Sequence, residues 1–210
     1  MRTIFMLIGL LLSGDAAIAS SAPPSSTPDE IVAYHDSGEW DADISRVIRR
    51  AERQVRRHRH DGRPAIVLDI DDTSLSNYQC LKEFDFDRAA SDCGKRSDLP
   101  AIPQTLRVYR LARHYHVTAF FITGRRAKTR RATLKNLRAA GYRGTLRVRM
   151  RPNHEAAGTH DGWKARTRAA IGARGYTIVA NVGDQRSDLD GGHALRRFKL
   201  PNPMYVIPRA

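Results

Sequence analysis

The chain has 210 residues, of which 41% are hydrophobic and 28% are charged, and these proportions are typical of globular domains. They exclude wholesale disorder and low-complexity fibres, and two cysteines are too few for a disulfide scaffold or a four-thiolate zinc site. The 36 basic residues outnumber the 22 acidic ones, so the net charge is +14. No apolar run reaches the roughly 18 residues needed to span a bilayer, which excludes a multi-span membrane protein.

The N-terminus has the pattern of an export signal. A positively charged start at residues 1–2 precedes an apolar run at 4–12. Small residues at 17–19 have the spacing that a signal peptidase recognises. A buried first helix would need a longer amphipathic pattern. We therefore expect a signal peptide over 1–19, export to the periplasm or the medium, and no stable membrane span after its removal. Residues 20–32, rich in serine, proline and threonine, are predicted to form a flexible leader.

An amphipathic helical segment is predicted over residues 33–62. Apolar residues recur there at helical spacing and arginines lie mostly off that stripe, which indicates a helix of about four turns. The stripe comprises Ile44, Val47, Ile48, Ala51 and Val55. The apolar run that follows, at 65–70, is typical of a strand buried on both faces.

Helices and strands alternate through residues 63–210, which are predicted to form one core. After a mixed, polar insert at 74–100, the pattern predicts helices over 103–115, 128–140 and 163–172 and strands over 117–122, 145–150, 177–182 and 204–207. This alternation favours an α/β fold with a mainly parallel sheet and helices on both faces. Ligands of such sheets bind beyond the carboxyl ends of the strands, so polar residues at those positions are the candidate site residues.

The insert contains both cysteines, Cys80 and Cys93, which are 13 positions apart. In an oxidising compartment they could close a loop that contributes about 3 kcal/mol in the chain-entropy estimate. Two free thiols are the alternative, and the sequence leaves both open. The aromatic residues of the insert, Tyr78, Phe84 and Phe86, line either a substrate entrance or the insert's own small core.

Acidic residues follow the first predicted strand. Asp69 and Asp71 project to the same side of an extended chain, and Asp72 and Thr73 come next. Two carboxylates so placed repel each other in a half-buried setting, which requires a cation or a shared proton. A helix N-cap would explain one of these acids but not the pair, so we interpret Asp69 and Asp71 as functional residues.

Thr123 and Gly124 follow the second strand, and Lys164 stands near the start of a later helix. A hydroxyl and backbone N–H groups at a strand-to-helix junction can bind an anion, although Thr-Gly is also an ordinary turn. The start of a helix is the unfavourable end for a cation, and a phosphate-binding role would explain the position of Lys164. A solvated surface lysine is the alternative.

An acidic, glycine-flanked loop follows the fourth strand. Asp184 and Asp188 are four positions apart there and could face the same side of a turn. Mg²⁺ prefers oxygen ligands and retains water molecules, so this loop is a candidate site for a hard cation.

In this order, the four clusters resemble the motifs of the haloacid dehalogenase (HAD) superfamily, and within it the exported acid phosphatases that include bacterial class B and class C enzymes and plant acid phosphatases. The motifs are Asp69-x-Asp71-x-Thr73, Thr123-Gly124, Lys164 and Gly183-Asp184-x-x-x-Asp188. The resemblance covers about residues 64–195. It implies a Rossmann-like core with a small cap insert after the first strand.

The resemblance also implies roles for the residues that match. Asp69 would be the nucleophile, which forms an aspartyl-phosphate, and Asp71 would be the general acid and base. Thr123, Gly124 and Lys164 would bind the phosphoryl group. Because Asp71 must be protonated when the leaving group departs, an acidic pH optimum is expected.

Mg²⁺ is the cofactor that the resemblance implies. Its ligands would be Asp69, Asp184 and the backbone carbonyl of Asp71, and Asp188 would support the metal-bound water or Lys164. Such a cation relieves the repulsion between a carboxylate nucleophile and a phosphate dianion.

The sequence thus predicts an exported, Mg²⁺-dependent acid phosphatase that hydrolyses small phosphate monoesters. Two alternatives stay open: phosphotransfer to an alcohol on the same scaffold, and a non-catalytic HAD-like binding or storage protein. A basic nucleic-acid-binding protein is a third class, but aromatic residues are only 7% of the chain and no nucleic-acid-binding motif is present, so no specific nucleic-acid partner is expected. Assembly into a homo-oligomer also stays open.

Overall fold

Five parallel strands form the centre of the molecule. The computed structural model describes residues 26–154 and 160–207, so the predicted signal peptide at 1–19 lies outside the described residues. The strands are β1 (Pro64–Leu68), β2 (Thr118–Arg126), β3 (Arg147–Arg151), β4 (Thr177–Gly183) and β5 (Arg197–Lys199). They lie in the order β3-β2-β1-β4-β5, and every neighbouring pair is parallel. The predicted α/β class with a parallel sheet is confirmed.

Helices cover both faces of this sheet. They are α1 (Pro28–Asp36), α2 (Glu39–Arg57), α3 (Tyr78–Lys82), α4 (Pro103–His114), α5 (Arg130–Ala139), α6 (His160–Gly172) and α7 (Arg186–Leu189). Successive residues of β1 enter two different hydrophobic clusters, because side chains of a strand point alternately to opposite faces. Ala65 and Val67 pack in a cluster with Ile171 of α6, whereas Ile66 and Leu68 belong to the cluster that includes α2 and α4.

The position of α2 follows from its apolar stripe. Ile44, Ile48 and Val55 are fully buried, while most of the arginines of the helix are exposed. Burial of one Val or Ile side chain contributes about 1.5–3 kcal/mol, so packing on the sheet stabilises this helix. Its one buried acid, Glu52, accepts from Arg107 of α4 at 2.6 Å. Neither α2 nor any other helix in the described ranges is long and apolar enough to cross a membrane.

The first helix begins inside the stretch 20–32 that we predicted to be a flexible leader. Pro28 is the first residue of α1, and the hydroxyl of Thr27 accepts from the backbone N–H of Glu30. In return, the Glu30 carboxylate accepts from the N–H of Thr27 at 2.8 Å. This capping box satisfies N–H groups that the start of a helix leaves unpaired. The predicted helical segment 33–62 therefore contains the end of one helix and the whole of a second.

The fifth strand is not where we predicted it, at 204–207. β5 instead pairs with β4 upstream of that segment, with Phe198 in register with Val182. Pro201 and Pro203 lack the N–H groups that a ladder needs, so the chain leaves the sheet after β5.

The insert after β1 is a small unit closed by a disulfide. It contains α3 and a 3₁₀ turn, and Cys80 of the helix is bonded to Cys93 of the turn. The alternative of two free thiols is therefore wrong. Tyr78 and Phe86 are buried with ring centroids 5.8 Å apart, and Tyr78 also stacks on His35 of α1, so these aromatic residues join the insert to the main hydrophobic core.

Candidate active site

The carboxyl ends of β1 and β4 carry the centre of the candidate site. Leu68 is in register with Val182, and the N–H of Asp69 donates to the carbonyl of Val182 at 3.0 Å. This register places Asp69 beside Gly183 and therefore next to Asp184. Parallel strands present their carboxyl ends at one edge of a sheet, which is why residues far apart along the chain meet here.

Three buried carboxylates converge at this edge. Asp69, Asp184 and Asp188 are 5%, 1% and 3% exposed, and each offers one oxygen that lies within 4.8 Å of the others. Taking several charges of one sign out of water costs several kcal/mol for each ion unless they are compensated. The structure therefore brings together Asp69, Asp184 and Asp188, three of the four residues predicted for the metal site, in a setting that requires positive charge.

Lys164 supplies part of that charge. Its Nζ donates to Oδ1 of Asp69 and to Oδ1 of Asp188, at 2.5 Å in each case, and its side chain is 6% exposed. The alternative of a solvated surface lysine is therefore wrong. Lys164 is the fifth residue of α6 and therefore does not open the helix. The argument from the helix dipole does not apply to it, and its contacts with the two carboxylates explain its position.

Three donors hold the carboxylate of Asp184. The hydroxyl of Thr73, from the motif after β1, donates to Oδ1 at 2.9 Å. The side-chain amides of Gln185 and Asn202 donate to Oδ2 at 2.7 and 2.8 Å. Neither amide was predictable, because nothing in a single sequence distinguishes these two side chains from surface residues.

The one-turn helix α7 brings Asp188 against β4. The Oδ2 atom of Asp188 accepts from the backbone N–H of Gln185 at 2.7 Å. This hydrogen bond caps the start of the helix. A Cβ atom at Gly183 would lie 2.3 Å from the Cβ of Asp188, far inside van der Waals contact. The glycine of the motif is thus required for the approach of Asp188 to the strand end.

Arg168 of α6 holds the same loop from its other side. This fully buried guanidinium donates to the carbonyl of Asp188 at 2.6 Å, to that of Gly192 at 2.9 Å and to that of Asp190. A buried cation is tolerated when its donors are satisfied in this way. Sequence analysis missed Arg168. The available signal was its position four residues after Lys164, which places both on one helix face.

The carboxylate of Asp71 is not part of the buried trio and pairs instead with Arg125. The Nε atom of Arg125 lies 3.1 and 3.0 Å from the two carboxylate oxygens, and Nη2 lies 2.7 Å from Oδ1. Burial raises the pKa of Asp71, but the charge and hydrogen bonds of Arg125 and a hydrogen bond from Asn77 outweigh it, so this pKa lies below its usual range. The sequence interpretation gave Arg125 no role, although it directly follows Thr123 and Gly124.

The next acid, Asp72, stabilises the turn after β1. It has a φ of 54°, a left-handed conformation that aspartate tolerates better than most residues. Its carboxylate accepts from the N–H and the side-chain amide of Asn77 and from the hydroxyl of Tyr205, the last at 2.6 Å. Burial and the charge of Asp184 raise the pKa of Asp72 to about 7.

Thr123 and Gly124 lie within β2, which extends to Arg126, and not after the strand as predicted. Thr123 is fully buried, and its hydroxyl accepts from the N–H of Arg125 at 3.1 Å. The indole of Trp163 donates to the carbonyl of Thr123 at 3.4 Å and so ties this strand to α6. Within the described ranges no hydrogen bond joins Thr123 or Gly124 to the acids, so their phosphate-binding role stays a prediction.

The buried trio is short of positive charge. Burial and the charges of Asp188 and Asp184 raise the pKa of Asp69 well above its usual range, although Lys164 opposes them. Burial and the charge of Asp188 also raise the pKa of Asp184, to about 6. One ammonium group therefore does not neutralise three carboxylates. A set of carboxylate oxygens suits a hard divalent cation such as Mg²⁺.

The fold is shared with a solved phosphatase. The class C acid phosphatase from Bacillus anthracis superposes with a TM-score of 0.67 at 20% sequence identity, and the likeness covers 83% of each chain. At this level of identity the comparison shows a common fold.

Residues 13–208 match the family described as HAD superfamily, subfamily IIIB (acid phosphatase), and the chain belongs to this family. Acid phosphatase 1 of Solanum lycopersicum is 32% identical over 158 residues, which are 70% of this chain and 60% of that protein. Vegetative storage protein 1 of Arabidopsis thaliana is 30% identical over 149 residues, 68% of this chain and 55% of that protein. The chain thus spans less than two thirds of the length of these relatives. The resemblance seen in the motifs is confirmed.

Proposed function

We propose that this protein is an exported, Mg²⁺-dependent acid phosphatase that hydrolyses small phosphate monoesters through an aspartyl-phosphate on Asp69. The observation that carries the proposal is the buried contact between Asp69 and Lys164 at the edge of the sheet where Asp184 and Asp188 also converge. Phosphoryl transfer needs in-line positioning and charge neutralisation more than covalent chemistry from the protein, and this group of side chains suits both needs.

Asp69, Asp184 and Asp188 would hold Mg²⁺, with the backbone carbonyl of Asp71 as a further ligand. Their oxygen donors and the raised pKa values of Asp69 and Asp184 support this choice of cation. When bound, the ion would neutralise charge on the phosphate oxygens. Because Asp188 also contacts Lys164, we assign it a second role, which is to orient the lysine.

In the first step a carboxylate oxygen of Asp69 attacks phosphorus, and the bond from phosphorus to the leaving-group oxygen breaks. Asp71 gives its proton to that oxygen, and the alcohol departs. In the second step Asp71 takes a proton from a water molecule as this water attacks the phosphorus. The bond to Asp69 then breaks and inorganic phosphate leaves. Throughout, Lys164, Thr123 and Gly124 would hold the other phosphoryl oxygens.

Arg125 is a positioning residue in this scheme. Its two-pronged contact fixes the orientation of the Asp71 carboxylate, which is the group that must reach the leaving oxygen. The low pKa of Asp71 also means that its protonated form is populated mainly in acidic solution. This lowered pKa supports an acidic pH optimum.

Export is supported by the signal-like pattern at residues 1–19 and by the Cys80–Cys93 disulfide. Disulfides persist mainly in oxidising compartments, so we propose a periplasmic or secreted location.

A second candidate function is storage or binding without turnover, and the vegetative storage protein among the relatives favours it. The presence of both Asp69 and Asp71 in this chain opposes it, because loss of the nucleophile would be the expected mark of such a change. Phosphotransfer to an alcohol would use the same residues as hydrolysis, and only product analysis separates these two reactions.

The first prediction tests the nucleophile. We expect Asp69→Asn to lower kcat for p-nitrophenyl phosphate to below about one hundredth of the wild-type value, because an amide cannot form the covalent intermediate. Asp98→Asn, which changes an exposed acid outside the site in the same way, should keep wild-type activity.

Circular dichroism and the thermal midpoint would show that both variants fold, and mass spectrometry would exclude deamidation of the introduced asparagine back to aspartate. A folded Asp69→Asn protein with substantial turnover would contradict the assigned nucleophile. A wild-type protein with no turnover on nucleoside, sugar and aryl phosphates at any pH tested would favour storage.

A further inference from the structure

A cavity of about 240 Å³ opens beside the carboxylate of Asp71. The cap insert forms one wall, and Tyr205 of the C-terminal segment forms part of another. On the proposed function, Asp71 protonates the leaving oxygen, so the alcohol part of the substrate must lie in the space next to this carboxylate. On that function, the residues that line the cavity would contact the leaving group.

The cavity has an excess of positive charge. Arg88 and Lys95 line it together with a single exposed acid, Asp92. The other carboxylate at its wall, that of Asp71, is already neutralised by Arg125. Neither Arg88 nor Lys95 forms an ion pair with a carboxylate in the part of the chain that the structure describes. Two cations are thus available to a bound molecule.

Both cations are carried by anchored parts of the chain. The guanidinium of Arg88 lies 4.9 Å from the ring centroid of Tyr205, and the hydroxyl of Tyr205 is held by Asp72 at 2.6 Å. Lys95 belongs to the 3₁₀ turn that begins at Cys93, which the disulfide ties to α3. Both side chains are exposed and can reach a bound molecule, and the contact of Arg88 with Tyr205 reduces the conformational entropy that Arg88 loses on binding.

We infer that the preferred substrates are phosphate monoesters whose alcohol part carries a second anionic group, a carboxylate or a phosphate, bound by Arg88 and Lys95. This inference rests on the proposed function of the site. The cavity has room for a small alcohol part such as a short polyol acid.

The test compares two substrates that differ only in the second group. 3-Phosphoglycerate and glycerol 3-phosphate have the same carbon skeleton, but one ends in a carboxylate and the other in a hydroxymethyl group. We expect kcat/KM to be about tenfold higher for 3-phosphoglycerate, because charge-assisted hydrogen bonds are stronger than neutral ones. Fructose 1,6-bisphosphate against fructose 6-phosphate examines a phosphate as the second group.

Two variants assign the preference to the cavity. Arg88→Gln and Lys95→Gln should each reduce the preference for the anionic substrate several-fold, mainly through KM, and change kcat/KM for glycerol 3-phosphate much less than kcat/KM for 3-phosphoglycerate. Lys82→Gln is the matched control, since this lysine lies in the same insert outside the cavity and its loss changes the net charge equally. The control should keep the wild-type preference.

Equal kcat/KM values within both substrate pairs, or a preference that survives in the Arg88→Gln and Lys95→Gln variants, would overturn the inference while leaving the phosphatase function intact. Binding of 3-phosphoglycerate and glycerol 3-phosphate to the Asp69→Asn protein, measured by calorimetry with Mg²⁺, gives a readout that does not depend on turnover. Tighter binding of 3-phosphoglycerate, lost on Lys95→Gln, would support the anionic pocket even if the wild-type protein had no activity.

Discussion

Neighbouring acids of one short motif have different surroundings in this protein. Asp69 lies among carboxylates and contacts Lys164, Asp71 is paired with Arg125, and Asp72 accepts hydrogen bonds within a turn. Their pKa values shift accordingly, upward for Asp69 and Asp72 and downward for Asp71. The proposed division of roles between nucleophile and proton donor therefore depends on the partners of each acid and not on the residue type.

The second prediction concerns Arg125. Because its charge and hydrogen bonds lower the pKa of Asp71, Arg125→Gln should raise that pKa. In its proposed role as proton donor, Asp71 is active in the first step only below its pKa, so the alkaline limb of the kcat/KM profile should move to higher pH. We also expect lower kcat at the optimum, since the carboxylate loses its orientation.

Full pH profiles of kcat/KM with p-nitrophenyl phosphate would measure this shift. Arg131→Gln removes an exposed arginine of α5 and controls for the change in net charge. An alkaline limb that stays in place in Arg125→Gln would disprove the proposed coupling between Arg125 and Asp71.

At the scale of elements, the junction between β4 and α7 decides whether the trio can assemble. The third prediction is that Gly183→Ala lowers the free energy of unfolding by about 1–3 kcal/mol, the usual cost of an overpacked core position. The new methyl group would also push Asp188 away from Lys164 and reduce activity, since its Cβ would lie 2.3 Å from that of Asp188.

Urea unfolding of Gly183→Ala and Gly172→Ala would make this comparison. At Gly172, in α6, a Cβ atom would meet nothing within 4 Å, so alanine should be neutral or stabilising by about 0.4–1 kcal/mol. Equal free energies of unfolding for the two variants would show that the loop after β4 can move away from the new methyl group at little cost in stability.

Elements were predictable from the sequence where their apolar pattern is long. The stripe of α2 and the buried runs of β1 and β4 bury most of their apolar residues, as the periodicity indicates. β5 was not predicted, because it has three residues, of which only Phe198 is buried, and so short a strand has no periodic pattern. The segment 204–207 has a stronger apolar pattern but follows two prolines that take the chain out of the sheet.

For the whole molecule, the fourth prediction is that Mg²⁺ raises the thermal midpoint of the folded protein. A ligand that binds only the native state stabilises it by about 2.7 kcal/mol at a concentration a hundred times its Kd. Activity should be lost after chelation and return when Mg²⁺ is added.

The net charge of +14 should also speed the approach of anionic substrates at low ionic strength.

Differential scanning calorimetry in Mg²⁺ and in EDTA, at matched ionic strength, would measure the shift. Asp184→Asn should abolish the shift caused by Mg²⁺. The substitution can also change the midpoint directly, but this does not affect the result, because each variant in Mg²⁺ is compared with the same variant in EDTA. Two results together would exclude the proposed metal site. The first is an identical midpoint in Mg²⁺ and EDTA, and the second is full activity of a protein in which metal analysis finds no divalent ion.

The amino-acid sequence alone determined the α/β class and the strand ends at which acids and a lysine would gather, because apolar periodicity and residues next to strand ends are local features. The tertiary structure decided which groups are partners. Arg125 is 54 positions from Asp71 and Lys164 is 95 positions from Asp69, so these contacts depend on strand order and register. Partners of buried charges are selected by geometry in space, and a linear pattern carries no record of that geometry.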